Sequence, residues 1–180
     1  MSGDCRYVQF NIAGARHRVS MDEVIGWGSD VARAVDETAG DWIVLRHRPE
    51  PENPHDPDAI AVDLWCPGAR KLFWRGRKPA TYRHVGYVPA ELAKAIRSSG
   101  LLSTPDRIAF ILDHIWYGDD DPTVFHIAAN LMTDRDDFEL LQASITHRQA
   151  WSVVRGIGAI RPSGRQTFRL TRGESVAHGT

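Results

Sequence analysis

Apolar residues along this chain recur at period-two spacing between proline- and glycine-rich turns, a pattern of short strands rather than long helices. Val8, Phe10 and Ile12 alternate with polar neighbours and predict a first strand over Tyr7 to Ala15, ending at Gly14-Ala15-Arg16-His17-Arg18. Trp42 to Arg46 and Ala59 to Trp65 predict paired strands around a loop in which Pro51, Pro54 and Pro57 forbid ladder bonding and stiffen the chain. Arg107 to Trp116 and Val124 to Met132 predict a hairpin about Gly118-Asp119-Asp120-Asp121-Pro122.

Helical signals are fewer. Ser29 reads as the cap of a short helix through Val35, with Val31, Ala34 and Val35 on one face and Gly40 beyond its end. Pro89 suits a first helical turn, Leu92, Ala95 and Ile96 line one face, and Gly100 stops that helix. Asp134, Asp136 and Asp137 form an acidic first turn before Phe138, Leu141 and Ile145 at helical spacing. Gly158 to Leu170 reads as a hairpin about Ser163-Gly164. Several strands of one sheet with few helices give a mainly β fold, a small closed or nearly closed barrel.

Composition narrows the classes. A chain of 180 residues with 42% hydrophobic and 25% charged residues is long enough for one sizeable core and reads as soluble and globular. Its 22 Lys+Arg against 23 Asp+Glu exclude a uniformly basic nucleic-acid coat, so any phosphate-binding surface must arise from how charge is distributed. The opening residues lack a basic n-region and an apolar h-region, and no stretch approaches a membrane span. The expected location is therefore cytoplasmic and nucleoid-associated, with no membrane partner. Cys5 and Cys66 have neither disulfide-framework nor Cys-x-x-Cys spacing, which fits a reducing compartment without structural zinc. Apart from Lys71, Lys78 and Lys94 the positive charge is arginine. That fits a GC-rich bacterial genome, and a forked guanidinium also suits phosphate.

Arg70, Lys71, Arg75, Arg77, Lys78 and Arg83 are interleaved with Phe73, Trp74 and Tyr82, with no acidic residue between Asp63 and Glu91. Charge that tracks a backbone and rings that stack on bases are the composition of a single-strand groove. The plainer reading is a solvated hairpin extension whose aromatics pack on the barrel. Asn53-Pro54-His55-Asp56 reads as a well-made Pro-Asx turn, which also presents His55 and Asp56 in fixed geometry.

Two blocks, Leu45 to Val62 with its Arg48-Pro49-Glu50-Pro51 turn and Asn53-Pro54-His55-Asp56 loop, and Val85-Gly86-Tyr87-Val88-Pro89 opening a helix, together resemble the HIRAN domain family. The resemblance covers Tyr7 to Thr133, about seventy per cent of the chain. It implies an OB-like small β-barrel over residues 5–133 with insertions at about 20–41 and 66–82; past that the family pattern stops, and the residues themselves read as a C-terminal helix and hairpin over 134–172 and a flexible tail over 173–180. It also implies a module that binds single-stranded DNA at a free 3′-hydroxyl end in DNA repair or processing, alongside DNA-repair or helicase/nuclease proteins. Neither a cofactor nor catalytic activity is expected. The resemblance assigns Arg16 and His17 to a phosphate and a terminal base, residue 55 to stacking on that base, and Asp56 to accepting from the 3′-hydroxyl, with Asn53 holding the turn. His17 and His55 stand where the family carries tyrosine, which reduces the stacking area.

Other classes stay open. A metal-dependent nuclease could draw on Asp56, Asp58 and Asp63 with His55, or on Asp119, Asp120 and Asp121 with His114 and His126, although neither set has a recognised ligand spacing. A protein-interaction module would use Leu72, Phe73 and Trp74 as an apolar anchor. No Gly-rich loop ending in Gly-Lys-Ser/Thr is present, so the ATPase motif of multidomain translocases is absent.

Overall fold

The computed structural model describes residues 5–37, 44–66, 81–104, 107–118, 125–145, 154–160 and 169–173. Strand β3 (Ile60–Cys66) shows how the alternation becomes a sheet: Ile60, Val62 and Leu64 enter the core, while Ala61, Asp63 and Trp65 take the opposite face. It lies between β2 (Val44–Pro49) and β4 (Thr81–Tyr87), antiparallel to both. The sheet continues from β2 to β5 (Ile108–Gly118), β6 (Phe125–Thr133) and β1 (Cys5–Asn11). A pair of backbone hydrogen bonds between Ala13 and Tyr87, at 2.8 and 2.9 Å, then ties the end of β1 back to β4. Among the described residues, six strands thereby make an antiparallel ring. The mainly β, OB-like small barrel read from the sequence is the architecture observed.

Closure explains one glycine. A side chain at Gly86 would place Cβ 2.4 Å from the Ala13 carbonyl oxygen and 2.8 Å from Ile12, and φ there is +152°. Only glycine lets β1 cross β4 this closely.

The interior is filled from every strand of the ring, with Phe10 and Phe110 edge-to-face at 5.9 Å between centroids. A bulge in β5 after Leu112 flips the alternation, so that Leu112 and Ile115 both face the core. The residue it displaces, Asp113, is buried and accepts from Gln9 at 2.8 Å and Asn130 at 3.1 Å, with His114 Nδ1 at 2.6 Å. Burial pushes the His47 imidazole below its ordinary value, so the ring stays neutral where it packs on Phe110 at 4.8 Å.

Helices α2 (Ala90–Ser98) and α3 (Arg135–Ser144) lie where they were read, with Pro89 and Asp134 at their N-caps and not in their first turns. Gly100 takes φ +74° after α2, and Asp134 caps α3 by accepting from Asp137 N–H at 2.8 Å. The first helix differs from its sequence reading. It runs over Met21–Glu37 as α1, because Ser20 and Glu23 form a reciprocal capping box at 3.3 and 2.9 Å and Met21 and Val24 are buried. Those gains offset the cost of Gly26 and Gly28, about 1 kcal/mol each relative to alanine.

The first strand also ends earlier. Gly14, at φ +73°, turns the chain into a 3₁₀ turn over Ala15–His17 that carries Arg16 and His17. The segment read as a C-terminal hairpin holds β7 (Val154–Ile160) and β8 (Arg169–Gly173), which do not pair with each other. Strand β7 joins the free edge of β1 antiparallel, and β8 runs parallel to β5 beyond the point where β2 leaves it. Two open edges of the ring are filled instead. No described helix is long and apolar enough to cross a membrane.

Candidate nucleic-acid interface

The proline loop between β2 and β3 is fixed by its own backbone. Glu50 N–H donates to Ala59 O at 2.9 Å, Asn53 N–H to Glu50 O at 3.0 Å and Ala59 N–H to Asp56 O at 3.1 Å. Two Asx turns complete it: Asn53 Oδ1 accepts from His55 N–H at 3.0 Å, and Asp56 Oδ1 from Asp58 N–H at 2.9 Å. Asn53 is thus the turn residue expected of it, and His55 is left exposed at the loop tip.

Beside this loop lies an open groove of about 580 Å³, lined by Arg48, residues 49–55 and Tyr87. The strand register sets the two walls, because Arg48 and Tyr87 flank Ala61 from adjacent strands. The guanidinium of Arg18 lies 5.4 Å over the Tyr87 ring and donates to its hydroxyl at 3.3 Å. His84 meets the edge of the same ring at 4.9 Å and holds Asp63 at 3.3 Å.

One carboxylate binds these parts together. Glu50 accepts from Arg48 at 2.5 Å, Asn53 at 3.3 Å and the Tyr87 hydroxyl at 3.2 Å. Desolvation pushes its pKa up, but the Arg48, Asn53 and Tyr87 hydrogen bonds and the Arg48 charge outweigh that and hold it below the usual carboxylate range. It is ionised at neutral pH.

Arginine and aromatic side chains continue on the outer face of the same three strands. Arg46 pairs in register with Asp63, and Asp63 with His84; one step further Trp65 pairs with Tyr82. The Arg46 guanidinium lies 5.8 Å over the ring of Tyr82, a residue that is 51% exposed. Arg83 points elsewhere, to Glu23 at 2.7 Å and over Trp27 of α1 at 4.9 Å.

The sequence-predicted residues are therefore dispersed. Asn53 and His55 line the groove; Asp56 is half-buried in the neighbouring turn and is not part of the lining. Arg16 and His17 are exposed on the 3₁₀ turn that also carries Arg18 into contact with Tyr87. Tyr82 and Arg83 face different sides of β4. Arg70, Lys71, Phe73, Trp74, Arg75, Arg77 and Lys78, with Leu72, lie outside the described residues. Sequence reasoning gave no role to Arg18, Arg48, Glu50 or Tyr87, although the Gly86-Tyr87 pair marked the close crossing that sets Tyr87 at the groove.

The carboxylates considered for a nuclease go to separate partners. Asp58 faces Arg97 at 3.8 Å and Asp63 faces His84, while residues 119–121 lie outside the described residues. Among the described residues no three His, Cys, Asp or Glu side chains converge as a metal site.

One solved structure is similar to this chain. The HIRAN domain of human HLTF aligns with 81% of the chain and 93% of its own length, at 12% identity and a TM-score of 0.41. No family model matches the sequence. No curated protein matches it either.

Proposed function

We propose that the groove holds the 3′ end of a single strand of DNA, and that the chain serves DNA repair or processing as a binding module without chemistry of its own. One observation carries this reading: the open groove sets cationic guanidinium groups beside stackable rings on a loop locked by prolines and Asx turns. The HIRAN-like motifs quoted above support it, since their two blocks are the segments that build the groove.

Tyr87 and His55 offer rings to the terminal bases, Arg48 and Arg18 face the backbone phosphates, and Arg16 and His17 extend that basic edge. Away from its end the strand follows the outer face of β2, β3 and β4 over Arg46 and Tyr82. The insertion from Arg70 to Lys78 adds sequence-independent attraction. A terminal hydroxyl needs an acceptor, and the loop offers two carboxylates, Asp56 and Glu50.

Titration of a fluorescent oligonucleotide, single-stranded and as a duplex, over a series of salt concentrations tests the reading. The single strand is expected to bind more tightly, with an affinity that falls as salt rises by about 0.7 log units per tenfold salt for each phosphate contacted. Equal binding of both forms, or an affinity independent of salt, contradicts it.

A further inference from the structure

We infer that His47 is an acid-sensitive latch in the barrel wall: proton uptake by its imidazole loosens the seam between β2 and β5. The first ground is placement. His47 alternates with the exposed Arg46 and Arg48 and so points inward, in register with the buried Val62 of β3. Its ring meets Phe110 of β5 at 4.8 Å between centroids, tilted by 44°, and Phe110 in turn packs edge-to-face on Phe10. The imidazole therefore abuts the aromatic pair of the core.

The second ground is the want of a counter-charge. On its own strand Arg46 lies over Tyr82 and Arg48 is held by Glu50; on β3 Asp63 is held by His84; on β5 Asp113 is held by His114, and Arg107 just before it by Asp137. Among the described residues, no side chain hydrogen-bonds to the His47 imidazole or forms an ion pair with it. A proton arriving there is neither paired nor fully hydrated, whereas on His84 or His114 it faces a carboxylate 3.3 or 2.6 Å away. Burial accordingly holds the ring below its ordinary value of 6.5.

The third ground is the seam itself. Among the described residues β2 and β5 pair only as Val44 with Ile111 and Leu45 with Phe110, and β8 takes β5 from His114 onward. The β5–β6 ladder, by contrast, runs from Ile108 to Tyr117. The β2–β5 ladder is the shortest in the ring, so little backbone bonding resists a disturbance at the Leu45–Phe110 pair. The sign follows from linkage. The folded imidazole takes its proton below 6.5 and the unfolded one near it, so the stability this neutral ring contributes is complete above 6.5 and is lost as pH falls from there to the lowered folded value. Strand β2 also carries Arg48 and leads into the proline loop, so on the reading proposed above the groove wall moves with the seam; the latch itself does not depend on that reading.

Urea unfolding of wild type and His47→Gln, read by tryptophan fluorescence at about pH 7.5 and about pH 5.5, tests the latch. Glutamine keeps a neutral polar side chain of similar reach that takes up no proton, and the acid response of every other group is common to both proteins. The unfolding equilibrium constant of wild type is expected to rise several-fold more than that of the variant over this interval, with about tenfold as the ceiling for one proton across the pH unit below 6.5. Amide hydrogen exchange on wild type locates the opening without any substitution, and so decides the matter even where the variant fails to fold. Protection of the β2–β5 amides is expected to fall on acidification relative to that of the β5–β6 amides. An equal acid response in the two proteins overturns the inference, and so does β2–β5 protection that keeps pace with β5–β6.

Discussion

Gly86→Val should destabilise the protein by about 3 kcal/mol or more, the largest effect expected of any single substitution on β4. The added Cβ would meet the Ala13 carbonyl oxygen and Ile12 well inside van der Waals contact, at a φ of +152° that branched residues avoid. Either the Ala13–Tyr87 bonds break and the ring opens, or the chain is strained on both sides of the crossing. Gly26→Ala provides the contrast, since nothing lies within 4 Å of its Cβ and the site is helical. It should raise stability by up to about 1 kcal/mol. Urea unfolding monitored by tryptophan fluorescence measures both. A shift below about 1 kcal/mol for Gly86→Val would mean that barrel closure does not depend on this crossing.

Tyr87→Ala should weaken single-strand binding by about 5- to 150-fold, the loss of one base–aromatic stack. The same substitution removes the ring under Arg18 and a donor to Glu50, so the groove loses its wall as well as its stacking surface. Tyr87→Phe keeps the ring and should lose far less. Fluorescence anisotropy with a short labelled strand reads both variants, and their unfolding midpoints show whether the fold persists. Unchanged affinity in a folded Tyr87→Ala variant would remove the groove from the binding surface.

Local signals in the sequence located most of the barrel. The period-two runs of β2, β3, β5 and β6 are read within a few residues of their observed ends, because each is bounded by prolines, glycines or acidic turns that act on the nearest residues. Helix α1 was half hidden by Gly26 and Gly28, although Ser20-Met21-Asp22-Glu23 spells the capping box that starts it. The pairing of β7 with β1 and of β8 with β5 was out of reach, since adjacent strands separated by a short turn favour each other until tertiary edges compete for them.

The candidate site divides along the same line. Asn53 and His55 were legible because Asx and prolyl turns are local chemistry. Arg48 and Glu50 meet Tyr87 only when β2, β3 and β4 pair, and Arg18 joins them only when the chain after β1 closes on β4, contacts between residues far apart in the chain. Each is an ordinary surface residue in its own segment. Asp56 was given the acceptor role by resemblance; its Oδ1 is engaged by the turn itself, and Glu50 and Glu52 are the carboxylates that line the groove.

The central claim, that the groove reads the end of a single strand, is tested most directly by comparing a linear and a circular DNA of identical sequence and length at one salt concentration. The backbone charge and the bases are the same in both, so every sequence-independent contact is matched. The account predicts that the linear strand binds about tenfold or more tightly, because only it can place a hydroxyl against a carboxylate of the loop. Equal affinity for the circle would show that the protein binds along the strand and not at its end.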